Sequence, residues 1–173
     1  MSQQPTTNSQ QPSHGTAIEW THVPGYRGET LNISTGCNKI SPGCKNCYAA
    51  HDWARLSSFP NTVYAGRKFE DFQVHTDRFQ KPREWQKPRS IFVNSMSDIF
   101  HEKMSESHLY WFFNIMLEVD RHVYMILTKR HERMQRVITK MCDDFYLYRL
   151  PPHIWIGVSI ENQQMGQARI PCL

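Results

Sequence analysis

Ser90-Ile91-Phe92-Val93-Asn94 is a short apolar run that ends in the polar Ser95-Met96-Ser97-Asp98, and the same design recurs twice. His122-Val123-Tyr124-Met125-Ile126-Leu127 runs into Thr128-Lys129-Arg130, and Ile154-Trp155-Ile156-Gly157-Val158 runs into Ser159-Ile160-Glu161-Asn162. Near-continuous β-branched and aromatic stretches of this length suit strands buried on both faces, as in a parallel sheet. The runs start at residues 91, 123 and 154. A repeat of about 30 residues fits the strand–helix–strand unit of an α/β barrel or open sheet.

Helical patterns fill the gaps. Ser105 predicts an N-cap, after which Leu109, Phe112, Phe113, Met116 and Leu117 recur with helical period. Met134, Val137, Ile138 and Met141 do the same after the second run. A weaker strand is expected at Leu31-Asn32-Ile33, a helix over about 46–56, a short strand over 72–74 and a helix near 77–85. The five tryptophans are expected in the core or at its rim.

Residues 1–16 carry only Met1 as a sizeable apolar side chain and are expected to form a disordered tail ahead of one domain over 17–173. The chain has 173 residues, 39% of them hydrophobic and 12% aromatic, enough for one domain with a real core. It has no apolar run of the roughly 18 residues that a membrane span needs, and no apolar stretch of a secretory signal near Met1. A cytoplasmic protein is expected. The net charge of +4 slightly favours anionic partners. Arg78, Lys81, Arg83, Lys87 and Arg89 interleave with Phe79 and Trp85. Residues 78–89 therefore suit either a nucleic-acid contact or a solvated basic face with its aromatics turned inward.

Three of the five cysteines crowd into Cys37-x6-Cys44-x2-Cys47, between an expected strand and an expected helix, while Cys142 and Cys172 stand alone and read as packing residues. Such a cluster in a reducing compartment reads as metal or iron–sulfur ligation before disulfides. Three thiolates leave one iron of a [4Fe–4S] cubane open to a substrate. Gly36, Pro42 and Gly43 supply turns for a loop that wraps a cluster. Zinc is the main rival, because His51 would complete a Cys3His set in an RNA-binding module. A Cys44/Cys47 thiol redox pair is a third alternative, which leaves Cys37 without a role. Spacing alone does not separate zinc from iron–sulfur, and the polar tips of the parallel strands tilt the choice towards iron–sulfur.

Trp20-Thr21, Thr35-Gly36-Cys37, Ser41-Pro42-Gly43-Cys44-Lys45-Asn46-Cys47-Tyr48-Ala49, the run from Ile91 to Asp98, Leu127-Thr128-Lys129-Arg130 and the run from Trp155 to Asn162 resemble a phage-associated family with a three-cysteine motif and no assigned function. In the same order, and more distantly, they resemble the spore photoproduct lyase branch of the radical S-adenosylmethionine superfamily. That resemblance implies a partial (β/α) barrel with the cluster loop after the first strand, and reductive cleavage of S-adenosylmethionine to a 5′-deoxyadenosyl radical. The first cysteine gap, x6, departs from the x3 of most members. Catalytic groups of such barrels gather at the C-terminal ends of the strands. Besides Cys37, Cys44 and Cys47, this points to Asn94, Ser95, Asp98, Lys129, Ser159 and Glu161 as residues that bind the cofactor. Lys129 is the candidate partner of the methionine carboxylate, with Ser95, Asp98 and Ser159 on its amino group or ribose. The plainer roles are a helix-turn cap for Asp98, surface charge for Lys129-Arg130, a satisfied strand-end hydroxyl for Ser159 and a surface position for His51. The resemblance also implies further strands after the fourth. The chain is thus expected to be a truncated form, or one whose barrel a protein partner completes, and to be poorly stable alone.

Overall fold

The computed structural model describes residues 15–173. Four strands form a parallel sheet: β1 (Arg27–Leu31), β4 (Arg89–Val93), β5 (Val123–Thr128) and β6 (Ile154–Val158), in the spatial order β1-β4-β5-β6. Two short strands, β2 (Ser34–Thr35) and β3 (Gln73–Val74), pair antiparallel beside it. The helices are α1 (Tyr48–Ser57), α2 (Lys81–Glu84), α3 (Glu106–Glu118), α4 (His131–Asp144) and α5 (Gln163–Arg169).

The three apolar runs are the three inner and outer strands that the sequence predicts, and both long helices fall where periodicity places them. Ser105 caps α3, its Oγ accepting from the His108 N–H at 3.2 Å. Spatial order follows chain order in the parallel sheet, so right-handed crossovers carry α3 and α4 onto one face. On that face Leu31, Val93, Ile126 and Ile156 lie in one row across the sheet. They pack with Leu109, Phe112, Phe113 and Met116 of α3 and Met134, Val137 and Met141 of α4.

The opposite face carries the neighbouring row, Thr30, Phe92, Met125 and Trp155. The Trp20 ring meets Phe92 edge-on at 4.7 Å. Leu127 and Trp155, at 40% and 47% exposure, leave this face partly open to solvent among the described residues. This open face explains why Trp20 and Trp155, expected in or near the core, stand out; Trp111 on α3 is 43% exposed as well, against the same expectation. No closed barrel forms among the described residues; the fold is a mixed α/β structure built on a four-stranded parallel sheet.

Three sequence expectations need correction. The first strand runs from Arg27, not Leu31: it is an edge strand whose polar residues pair laterally, with Glu29 bridging Arg27 at 3.3 Å and Arg89. The helix expected over 77–85 is two separate turns, Thr76–Arg78 and α2, because Pro82 has no N–H to continue a helical ladder. The helix after the cysteines begins at Tyr48, behind a 3-10 turn over Pro42–Asn46. Residues 1–14 of the expected tail lie outside the described residues. Thr16 is already tied down, its N–H to the Gly28 carbonyl at 3.3 Å and its Oγ1 accepting from Thr30 at 2.8 Å.

Candidate active site at the C-terminal ends of the parallel strands

Each strand tip is braced before it can serve a ligand. Asn94 follows β4 in the left-handed region, φ +63°, and turns its amide back on the loop after β1. Its Oδ1 accepts from the Ser34 N–H at 3.1 Å and its Nδ2 donates to Ser34 Oγ at 2.9 Å. The buried Asp98 joins β4 to β5: Thr128 Oγ1 lies 2.8 Å from each carboxylate oxygen, and the Lys129 and Phe100 N–H groups donate at 3.1 and 3.0 Å. The bond from Phe100 closes a turn at Ile99–Phe100, where the expected helix turn does not form. Burial pushes the Asp98 carboxyl up, against the pull of those hydrogen bonds.

The cysteine loop is held at both ends. Gly36 sits at φ +88°, where a Cβ would lie 2.7 Å from the Asp71 carbonyl oxygen, so only glycine fits. Its N–H bonds the Met96 carbonyl at 3.0 Å, and the Cys37 N–H bonds that of Phe69 at 2.9 Å. Arg130, expected as surface charge, is instead buried against this end. It donates to Asn38 Oδ1 at 3.1 Å and to the Asn38 carbonyl at 3.3 Å, lies 3.8 Å from Cys37 Sγ, and pairs with Glu102. His101 Nδ1 accepts from the Lys103 N–H at 3.1 Å, so its Nε2 carries the proton towards Asn38 Oδ1. Burial, helped by the Arg130 charge, brings His101 down to about 4.

The other end of the loop belongs to Glu161. Its carboxylate accepts from Ser41 Oγ at 2.6 Å and the Gly43 N–H at 2.7 Å, and pairs with the buried Arg169 at 3.0 Å. Burial alone would raise this carboxyl, but those three donors hold it down to about 2. A depressed carboxyl stabilises the fold fully above its unfolded value of about 4.5, and the contribution is lost as pH falls towards about 2. Between those values urea midpoints should drop more steeply for the native protein than for Glu161→Gln; parallel curves would contradict the assignment.

A cavity of about 510 Å³ opens between the loop and the strand tips. Cys37, Cys44 and Cys47 line it together with Asn94, Ser95, Asp98, Lys129 and Ser159, while Glu161 is absent from its wall. Ile18, Trp20, Phe92 and Leu127 give it an apolar side. Lys129 has no ion-pair partner among the described residues. Burial pushes the Cys37 thiol up. It would do the same at Cys44, but hydrogen bonds from the loop backbone, with the Lys129 charge, bring that thiol below its usual value. His51 stands apart, 90% exposed and outside the cavity wall. Cysteine is the ligand type an iron–sulfur cluster needs, and three on one cavity fit its donor set. Among the described residues, no three His, Cys, Asp or Glu side chains already converge as a metal-ligating group.

Residues 78–89 form no part of this cavity. Arg78 donates to the Asn32 carbonyl at 2.9 Å, Lys81 pairs with Glu84 at 2.7 Å, Arg83 with Glu118 and Arg89 with Glu29. Phe79 is fully buried. Sequence reasoning missed Arg130 and Arg169 as supports of the loop; a basic residue directly after Lys129, at a strand tip, was the available signal for the first.

No helix among the described residues is long and apolar enough to cross a membrane. Comparison with curated proteins and with solved structures gave no match. The model of the family described as "Protein of unknown function (DUF5131)" matches residues 15–173, every residue whose structure is described, and the chain belongs to that family.

Proposed function

We propose that the chain is a radical S-adenosylmethionine protein of partial-barrel type, with Cys37, Cys44 and Cys47 as ligands of a [4Fe–4S] cluster. The observation that carries this is the meeting of three cysteines and Lys129 in one cavity at the C-terminal ends of parallel strands. When bound, the cluster supplies the single electron that breaks the sulfonium C–S bond of S-adenosylmethionine.

The chain's own residues bind, orient and exclude water. Lys129, a compact cation with no ion-pair partner among the described residues, pairs with the methionine carboxylate. Ser95 and Ser159 offer hydroxyls at the strand tips. Asn94 and Asp98 hold the tips in place, since their side chains are spent on Ser34 and on Thr128 and Lys129. Ile18, Trp20, Phe92 and Leu127 keep water from the apolar side. Strands supplied in cis or by a protein partner would extend the sheet at β6, the outermost strand opposite β1. A nucleic-acid partner would rest on the basic stretch 78–89, and most of its cations are held by partners within the chain.

Anaerobic reconstitution followed by EPR tests the proposal. The expected result is a reduced [4Fe–4S] signal that S-adenosylmethionine perturbs, with the perturbation weakened about tenfold in concentration by Lys129→Ala. Colourless protein that takes up zinc and no iron would overturn it.

A further inference from the structure

We infer that Glu161 is a positioning residue for Cys44, acting from the far end of the sheet through Ser41. Four observations converge on it. Glu161 Oε1 accepts the Ser41 hydroxyl proton at 2.6 Å, and Ser41 Oγ lies 3.5 Å from Cys44 Sγ. With its one proton spent on the carboxylate, Ser41 turns an oxygen lone pair to the thiol and fixes the side-chain direction of Cys44. Glu161 Oε2 accepts the Gly43 N–H at 2.7 Å, anchoring the residue directly before Cys44. The approach is so close that a Cβ on Gly43 would stand 2.4 Å from Glu161 Cδ.

The carboxylate is itself fixed from behind. Arg169, the last residue of α5, is 2% exposed; it reaches Glu161 Oε1 at 3.0 Å and the Ser159 carbonyl at 2.6 Å. The helix is in turn capped by Asn162, whose Oδ1 accepts the Met165 N–H at 2.8 Å. Glu161 is thus not a ligand in waiting. Its oxygens are occupied and it does not line the cavity. It sets where one ligand points, and Arg169 sets where Glu161 sits.

The clamp stands whether or not the loop holds metal; its bearing on a bound cluster rests on the function proposed above. The test is site-resolved alkylation of the reduced, metal-free protein by iodoacetamide, read by mass spectrometry at Cys44, Cys37 and Cys142. Glu161→Gln should raise the Cys44 rate about tenfold and leave Cys142, on α4, unchanged. Arg169→Lys, which keeps the charge and loses the fork, should give an intermediate rise and covers the case in which the first variant fails to fold. A Cys44 rate within about twofold of the native protein in both variants, or a rise shared equally by Cys142, would overturn the assignment. Reconstituted Glu161→Gln should also hold less iron than the native protein. Should the native protein itself take no iron, the cluster proposal falls while the alkylation result still decides the clamp.

Discussion

Asp98→Ala should cost the fold about 3–5 kcal/mol, the range for leaving a buried charge without its partner. Asp98 is the junction of β4 and β5: it accepts from Thr128, Lys129 and Phe100, and its Oδ2 lies 3.9 Å from Arg130 Nε. Without it, Glu102 is the one counter-charge left to Arg130 among the described residues, and Glu102 is largely exposed. The Lys129 N–H also loses its acceptor, so the cation that faces the cavity is no longer fixed in direction. Asp98→Asn keeps the shape and part of the hydrogen bonding, and should cost about 1–3 kcal/mol. Chemical denaturation measures both. A loss under about 1 kcal/mol for the alanine variant would show that the strand tips hold without this carboxylate.

The second large effect concerns the metal. Cys37→Ala, Cys44→Ala and Cys47→Ala should each reduce the iron of reconstituted protein to background, because no spare thiol lines the cavity to replace the one removed. His51→Ala should leave iron unchanged, since His51 is exposed and outside the cavity wall. A Cys3His zinc site would fail with His51→Ala as well as with the three cysteine variants. Metal analysis of the four variants side by side therefore separates the two chemistries without any knowledge of the substrate.

The parallel strands were legible because burial on both faces writes continuous apolar runs, as in Ile91-Phe92-Val93 and Tyr124-Met125-Ile126. The edge strand β1 was not, since Arg27, Glu29 and Thr30 face lateral ion pairs and the N-terminal segment in place of a core. Pro82 is the residue that splits the helix expected over 77–85 into two turns. The cysteines, and Asn94, Ser95, Asp98, Lys129 and Ser159, come together as the strand-tip rule implies. What the sequence hides is which polar residue binds and which one braces. Asp98 and Asn94 look like ligands until their partners in other segments are known. Arg130 looks like surface charge until Asn38 and Glu102 close around it. Such roles depend on pairings between distant segments, and local spacing carries no record of them.

The link between Ser41 and Glu161 joins residues 120 positions apart. The β–α–β units can dock one after another as the chain leaves the ribosome, because each new strand lies beside the one made before it. The cysteine loop is synthesised early, yet its second anchor arrives only with the segment that follows β6. Closing so long a loop carries an entropic cost that earlier contacts must already have offset. The Cys44 end of the loop is therefore set in place only once that segment has docked, and metal delivery before that point would meet a loop that has not yet taken its shape.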